Sequence, residues 1–248
     1  MKIDINCDLG EGFGRYTLGG DDQLMKYISS ANIACGFHAG DPTTMDKTVK
    51  MALENDVKIG AHPGYPDLQG FGRRAMDMHP EEIRAMVIYQ VGALKGFVSA
   101  YDGRLHHVKP HGALYNRASQ DKLTAKAIVE AVKSIDPNLV LYGPYNSELH
   151  KASVFNKLTF HCEAFADRAY DKNGQLVSRA EPGALIDDVK TCAQRIEKLI
   201  QENRIETIEG NFIDMKAQTL CVHGDNDKAL QFVKSLVDKL KTLGCEVG

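Results

Sequence analysis

The sequence predicts an α/β fold, a seven-stranded parallel β/α barrel that forms one domain over residues 1–248. Short strand-like runs alternate seven times with longer helical patterns, which is typical of βαβ units and a parallel sheet. Nearly every strand-like run also ends in polar residues. A closed barrel directs all of its strand ends at one site, whereas an open sheet uses mainly those at its switch point, so a closed barrel is favoured.

The predicted strands are short apolar runs bounded by turn residues. They are Lys2–Asp8, Ala31–Gly36, Val57–His62, Leu105–Lys109, Asn138–Tyr142, Leu158–Phe165 and Gln218–His223. Because successive strands of βαβ units run parallel, we expect their carboxyl ends to meet at the same end of the barrel.

Apolar residues at helical spacing predict the helices between these strands. Asp41 is suited to cap a helix that begins with Pro42, and Pro80 opens the next one. Two further patterns run from Leu123 to Val132 and from Leu230 to Leu240. The most regular pattern consists of Ile186, Val189, Ala193, Ile196 and Ile200.

Two inserted loops interrupt the alternation, at about residues 63–78 and 167–183. Both exceed the ~2–6 residues that usually join a strand to a helix. The second contains Asn173 and Gly174, a good hairpin turn. Long loops that carry aromatic and Arg residues favour a functional role. No linker, low-complexity tract or block of charge divides the chain.

Composition and charge exclude several classes of function. The chain is 43% hydrophobic and 25% charged, and its net charge of −3 offers no basic face for nucleic acid or acidic lipid. No segment approaches the ~18 apolar residues needed to cross a bilayer, and the sequence starts with a strand-like run instead of a signal region. We therefore expect a cytoplasmic chain that has neither a membrane nor a nucleic acid as partner.

The six cysteines are widely spaced and form no C-x-x-C pair that would suggest zinc or redox exchange. We expect reduced thiols. Four of them lie inside predicted strands, where a small buried group fits a barrel layer, so packing is the expected role of Cys7, Cys35, Cys162 and Cys221.

Ionisable residues follow almost every predicted strand, and they are the candidates for chemistry. In chain order they are Asp8, Glu11, His38, Asp41, His62, Lys109, His111, Glu163, Asp167, Arg168, His223 and Asp225. A single His or Asp at such a position often only caps a helix or packs a loop. Lys109 is different, because a Lys at the end of a core strand must be paired or catalytic.

Several familiar catalytic motifs are missing from the sequence. It contains no G-x-S-x-G elbow, no H-E-x-x-H and no G-x-x-x-x-G-K-[ST] phosphate loop. Acyl transfer through Ser and autonomous ATP use by a phosphate loop are therefore not expected.

Six motifs spread over almost the whole chain closely resemble those of the LamB/YcsF family. They are Asp4–Gly14, Ser30–Pro42, Gly60–Arg74, Val108–Asn116, Glu163–Tyr170 and Cys221–Asp225. The resemblance implies a seven-stranded β/α barrel similar to the glycoside hydrolase/deacetylase superfamily.

The resemblance also implies a reaction, since the family is identified with one component of the bacterial ATP-dependent 5-oxoprolinase. In that reaction 5-oxo-L-proline, ATP and water give L-glutamate, ADP and phosphate, and two other subunits are required. ATP with Mg²⁺ is expected as co-substrate on the partner subunits, in keeping with the missing phosphate loop. Homo-oligomerisation stays open.

The implied reaction gives each candidate residue a role. Asp8, Glu11 or Glu163 is the general base toward water, and Lys109 and His111 complete the expected catalytic set. Cations in a dry pocket stabilise anionic phosphoryl and carboxylate groups. The expected substrate-binding residues are His38, Asp41, His62, Arg73, Asp167, Arg168, Arg179, His223 and Asp225.

Two alternatives use the same residues differently. Asp8, His38, His62 and His111 could hold a divalent metal in a deacetylase-like amidohydrolase that acts alone on an N-acyl or lactam substrate. The only H-x-x-x-H spacing, His107 to His111, starts in a strand and crosses a Pro, so it should not place both rings on one helical face. The other alternative is a non-catalytic protein that binds oxoproline or scaffolds its partners.

Overall fold

The computed structural model describes residues 1–222 and 229–248. Its strands are β1 (Lys2–Leu9), β2 (Ser30–Ala34), β3 (Lys58–His62), β4 (Leu105–Val108), β5 (Val140–Pro144), β6 (Phe160–Phe165), β7 (Arg204–Glu206), β8 (Phe212–Asp214), β9 (Thr219–Val222) and β10 (Glu246–Val247). Its helices are α1 (Asp21–Leu24), α2 (Pro42–Glu54), α3 (Pro80–Ala100), α4 (Gly112–Gln120), α5 (Lys122–Ile135), α6 (Glu148–Phe155), α7 (Val189–Glu202) and α8 (Ala229–Thr242).

Seven parallel strands close into a barrel, as predicted. The order is β1-β2-β3-β4-β5-β6-β9, and β9 returns to pair with β1. In the register of the closure, Asn6 of β1 lies opposite Ser30 of β2 on one side and Cys221 of β9 on the other. Closure leaves no free sheet edge among the seven strands and brings all of their carboxyl ends to one face.

Three short strands lie outside the predicted set. β7 and β8 form an antiparallel hairpin, and β10 pairs with Lys2 and Ile3 at the start of β1, before β1 begins to pair with β9. With two or three residues each, these strands are too short to produce a periodic pattern in the sequence.

The five predicted helices are present as α2, α3, α5, α7 and α8. Asp41 caps α2 as expected, because its carboxylate accepts hydrogen bonds from the backbone N–H groups of Thr43 and Thr44 at 2.8 and 3.1 Å. Helix α7 begins later than its apolar pattern, at Val189, because Asp188 accepts a hydrogen bond from Thr191 N and caps it there. Helices α1, α4 and α6 have no more than nine residues and were not predicted.

The two stretches predicted as inserted loops are mostly irregular in the structure. Residues 63–78 contain neither helix nor strand. In the second loop a tight turn closes with a hydrogen bond from Gly174 N to Asp171 O, with Gly174 in the left-handed region at φ +75°. Tyr170 bridges Leu176 across this turn, which confirms the predicted Asn-Gly hairpin.

The apolar core lies between the strands and the surrounding helices, whereas the inside of the barrel is polar. Along β1 the inward side chains are Asp4, Asn6 and Asp8, and the alternate residues, including Ile3, Ile5 and Cys7, join the buried apolar cluster. The inward groups of neighbouring strands form a continuous hydrogen-bonded network: Asp4–Thr219 (2.5 Å), Thr219–Asn6 (2.7 Å), Asn6–Asn32 (2.7 Å) and Asn32–His107 (2.7 Å).

All six cysteines are free and buried, and burial was expected for Cys7, Cys35, Cys162 and Cys221. Over the stretches that the structure describes, no helix is both long enough and apolar enough to cross a membrane.

Gly60 on β3 provides a test of this tight polar interior. A methyl group there would overlap the His107 ring, which stacks on Tyr142 at 4.1 Å between ring centroids and cannot move away freely. We predict that Gly60→Ala lowers the free energy of unfolding by about 1–3 kcal/mol, the usual cost of overpacking. The measurement is urea denaturation followed by circular dichroism.

The matched control is Gly92→Ala in the exposed face of α3, where an added methyl group meets no atom within 4 Å. This change should stabilise the protein by about 0.5–1 kcal/mol, because Ala restricts the unfolded chain and suits a helix. Equal effects of the two substitutions would contradict the described packing of His107.

A candidate active site at the carboxyl ends of the strands

A pocket of about 360 Å³ opens at the carboxyl ends of the barrel strands. Its floor is made by residues at or just after the carboxyl ends of β1, β3 and β4, and its walls by the two inserted loops. The ionisable residues in its lining are Asp8, Glu11, His62, Arg73, Lys109, His111, Arg168 and Arg179. The pocket therefore contains most of the residues that the sequence proposes for chemistry.

Lys109 lies in the floor of the pocket and is almost fully buried, at 2% exposure. Its Nζ lies 2.9 Å from Asp8 Oδ1, 2.9 Å from Glu163 Oε1 and 3.1 Å from Asn6 Oδ1. Burial lowers the pKa of Lys109, but Asp8, Cys221 and Glu163 raise it more, so the net pKa is well above its ordinary value. Lys109 is thus a fixed cation, unsuited to act as a base or nucleophile.

Asp8 connects this cation to the pocket. One carboxylate oxygen receives hydrogen bonds from Lys109 Nζ and, at 2.8 Å, from Asn32 Nδ2. The other oxygen lies 3.3 Å from His62 Nε2. Asp8 is half-buried and lines the pocket, so its carboxylate is both held in place and within reach of a ligand.

Three buried imidazoles gather around Glu11 beside Asp8. His62 Nε2 lies 2.9 Å from His111 Nδ1, and His38 stacks on His111 with ring centroids 3.7 Å apart. Glu11 Oε1 lies 3.3 Å from His38 Nε2 and 3.6 Å from His111 Nδ1. Burial, together with the neighbouring imidazoles, lowers the pKa of His38 and of His111 well below the ordinary value.

These four residues form a cluster that could hold a metal ion. One ligand atom from each of Glu11, His38, His62 and His111 lies within 4.8 Å of all the others. Imidazole nitrogens and a carboxylate oxygen are common ligands of divalent transition metals.

The inserted loops supply a cationic wall. Arg168 is buried and donates from Nη2 to the carbonyl of Val177 at 2.7 Å, so it spans the second loop. Burial and the nearby Arg179 lower its pKa. Arg73 from the first loop is exposed, and its guanidinium lies 4.9 Å from the centre of the Phe71 ring. Three arginines from the two inserted loops thus border one pocket.

The first inserted loop is fastened to the residues after β4. Gly72 O accepts a hydrogen bond from Ala113 N at 2.9 Å, and Phe71 O lies 2.8 Å from His111 Nε2. Phe71 and Gly72 both have positive φ angles, +54° and +64°, which turn these carbonyls toward the site. Gly72 is required here because a side chain would press on His38 and His111.

Other candidates lie outside the pocket lining. Glu163 sits behind Lys109, and His38 sits behind His111. Asp41 is occupied by capping α2 and by accepting a hydrogen bond from Gly14 N, interactions that lower its pKa to about 2. Asp167 follows β6 without reaching the lining. His223 and Asp225 lie outside the described residues.

The structure adds site residues that sequence reasoning missed. Asn6 and Asn32 hold the Lys109 and Asp8 pair, and Tyr115 of α4 lines the pocket. Cys221 does more than pack, because its Sγ lies 3.0 Å from Lys109 Nζ. Strand alternation counted backward from Asp8 would have marked Asn6 as an inward residue, but nothing in the sequence singles out Asn32 or Tyr115.

The predicted separation of the two H-x-x-x-H histidines is confirmed. His107 points into the barrel and contacts Asn32, whereas His111 contacts His62 and Phe71 at the pocket.

Comparison with known proteins gives similarities over the full length. The sequence pattern of the LamB/YcsF family matches residues 3–248. A protein of Bacillus cytotoxicus, named as one of the subunits of 5-oxoprolinase, is 51% identical over 236 residues, which cover 95% of this chain and 94% of the relative. A protein of the same name from Pyrococcus horikoshii is 48% identical over 247 residues, with coverages of 100% and 97%.

A solved structure agrees with the fold. It is described as the lactam utilization protein from Thermus thermophilus, and it superposes with a TM-score of 0.94 at 42% sequence identity. The superposition covers 100% of this chain and 99% of that protein.

The burial of His107 predicts how the free energy of unfolding depends on pH. Burial, with His106 and Lys109 nearby, lowers its pKa well below the ordinary value, so it stays neutral in the folded state. In the unfolded chain His107 takes up a proton below pH ~6.5, whereas in the folded chain it does not. The free energy of unfolding therefore falls as the pH falls below that value. Between pH 7.5 and 5.5 this residue should account for a loss of about 1.4 kcal/mol.

The measurement is urea unfolding of the wild type and of His107→Gln at both pH values. The variant should lose about 1.4 kcal/mol less than the wild type between them. His79→Gln, an exposed His at the start of α3, serves as control and should retain the wild-type pH dependence. The same pH dependence in His107→Gln as in the wild type would refute the assignment.

Proposed function

Because this chain belongs to the LamB/YcsF family, we propose that it is one component of an ATP-dependent 5-oxoprolinase. It hydrolyses the lactam of 5-oxo-L-proline to L-glutamate with ATP cleavage, together with partner subunits. The observation that carries the proposal is the 51% identity, over nearly the whole of both chains, to a protein named as a component of 5-oxoprolinase.

The chemistry of the pocket supports this substrate. 5-Oxoproline has a carboxylate and a lactam, and Arg73, Arg168 and Arg179 offer guanidinium groups that can pair with a carboxylate or phosphoryl group. A volume of about 360 Å³ is within the range of small-molecule sites. The carboxylates and imidazoles of the floor line the same pocket as the arginines, so the arginines can bind the substrate while the floor groups act on its lactam.

A five-membered lactam is an unreactive amide, and ATP supplies the activation. Phosphorylation of the carbonyl oxygen makes the ring carbon a better electrophile. The partner subunits handle ATP and Mg²⁺ in this proposal, which is consistent with the absence of a phosphate loop from the sequence. This chain provides the hydrolytic pocket.

The attack on the activated ring assigns roles to the residues of the floor. Asp8 or Glu11 takes a proton as a water oxygen bonds to the ring carbon. The ring C–N bond then breaks, and the nitrogen takes the proton that the carboxylate received from the water. A second water releases phosphate from the acyl phosphate so formed. Glu163 lies outside the pocket lining and pairs with Lys109. It therefore positions that cation instead of acting as the base.

Lys109 stabilises negative charge during these steps. Its ammonium group is fixed by Asp8, Glu163 and Asn6, so it need not reorganise as charge develops on the substrate. The three arginines neutralise the phosphoryl and carboxylate groups at the other side of the pocket.

A second function is favoured by the cluster of Glu11 and three His residues. It is a metal-dependent amidohydrolase that cleaves an N-acyl or lactam substrate without ATP. The two functions differ in whether this chain needs ATP and partners.

An assay of reconstituted mixtures tests the proposed function. Glutamate formation and ATP cleavage are measured with this chain alone, with the partner subunits alone and with all together. We expect oxoproline-dependent ATP cleavage only in the complete mixture. ATP-independent turnover by this chain alone would instead support the amidohydrolase.

Substitutions in the floor test the assigned roles. In the complete mixture, Lys109→Met and Asp8→Asn should each reduce oxoproline-dependent glutamate formation at least 100-fold, in line with the loss of a fixed charge at a reacting centre. Lys126→Met, the same change at an exposed Lys of α5, should leave the rate unchanged. Gel filtration and circular dichroism check folding, and near-normal rates in both floor variants would disprove the site.

A further inference from the structure

His62 and His111 face each other in an arrangement that neutral imidazoles do not favour. His62 Nδ1 lies 2.7 Å from the carbonyl oxygen of Lys109, and His111 Nε2 lies 2.8 Å from that of Phe71. A carbonyl oxygen only accepts hydrogen bonds, so each of these nitrogens carries its proton there. The remaining nitrogens, His62 Nε2 and His111 Nδ1, then direct lone pairs at each other across 2.9 Å.

More electron-rich atoms converge on the same place. Glu11 Oε1 lies 3.6 Å from His111 Nδ1 and 3.3 Å from His38 Nε2. Asp8 Oδ2 lies 3.3 Å from His62 Nε2. A single proton can join only one pair of these atoms, whereas one divalent cation can accept lone pairs from Glu11 Oε1 and the three imidazoles together.

We propose that Glu11, His38, His62 and His111 bind a divalent transition-metal ion of the Zn²⁺ class. Their ligand atoms lie within 4.8 Å of one another, a span that a tetrahedral ion with ligand bonds of ~2.0–2.2 Å closes with small side-chain movements. The cluster has three nitrogen donors, which favours Zn²⁺, Co²⁺ or Fe²⁺ over Mg²⁺ and Ca²⁺.

The surroundings of the cluster resemble the outer shell of a metal site. A ligating His typically donates its second N–H to a carbonyl or carboxylate, which fixes the ring and its tautomer. His62 and His111 do so through main-chain carbonyls from two different segments. His38 Nδ1 has no hydrogen-bond partner among the described residues, so His38 is the least constrained ligand.

The ion would border the pocket, because Glu11, His62 and His111 all belong to its lining. The bound ion is compatible with the proposed 5-oxoprolinase function, in which Asp8 then acts as the base, and it does not depend on that function, since the inference concerns binding by this chain alone. Its test therefore needs no substrate and none of the partner subunits.

The experiment is a metal titration of the chelator-treated, dialysed full chain. Zn²⁺ binding is measured by competition with a chromogenic indicator, and Co²⁺ is used as a visible-spectrum probe of nitrogen ligation. We expect one equivalent of Zn²⁺ to bind, at least 100-fold more tightly than Mg²⁺, and the thermal midpoint to rise with Zn²⁺ concentration. Absence of stoichiometric Zn²⁺ binding, or tighter binding of Mg²⁺, would overturn the proposal.

Variants locate the bound ion. His62→Gln and His111→Gln should each weaken Zn²⁺ binding at least 100-fold, His38→Gln less, and each should alter the Co²⁺ spectrum. Glu11→Gln keeps the shape of the side chain and serves if a His variant fails to fold; it should weaken binding at least tenfold.

His150→Gln on α6 is the matched control, because this His lies outside the cluster and should leave affinity and spectrum unchanged. Unaltered binding in the cluster variants would place the ion elsewhere, for example on the buried thiols, and would refute the site.

Discussion

One buried ammonium group organises the interior of this barrel. Lys109 is almost fully enclosed, and an isolated charge in such a position would be very costly. Asp8, Glu163, Asn6 and Cys221 surround it, and they come from three different strands of the barrel wall or their ends. The need to compensate one cation explains why strands that could carry apolar side chains inward carry carboxylates and amides.

The hydrogen bonds around Lys109 continue along the barrel axis, so the network that stabilises the barrel interior also holds the floor of the pocket. Asn6 contacts Lys109 at one end and Thr219 at the other, and Thr219 contacts Asp4 near the start of the strands. A fully satisfied polar network is rigid and tolerates few changes, because any missing partner leaves a buried group unpaired. The floor of the pocket is thus one end of this hydrogen-bonded network, and the network keeps the charged groups of the floor preorganised.

Much of this arrangement can be predicted from the sequence, and there are physical reasons why the remaining elements and contacts cannot. Alternating apolar runs locate all seven barrel strands, and Asp41 with Pro42 locates the start of α2. Short elements such as α4 and β7 have too few residues to show a period. Asp8, His62, Lys109 and His111 each lie at or just after a strand end, so closure alone brings them together. Glu11 is predicted as a base, but its contact with the imidazoles depends on how the chain turns after β1, and the sequence pattern does not encode that turn.

The hydrogen bond between His111 and the carbonyl of Phe71 limits which sequence changes the first inserted loop can accept during evolution. The position of the imidazole proton is dictated by main-chain atoms, and those atoms are the same whatever side chain residue 71 carries. A substitution at position 71 can therefore leave the position of the His111 proton unchanged. A one-residue insertion or deletion would not, because it would displace the carbonyl and release the ring. Related sequences should therefore conserve the length of this loop and the glycine at position 72, and they can vary the side chain at position 71.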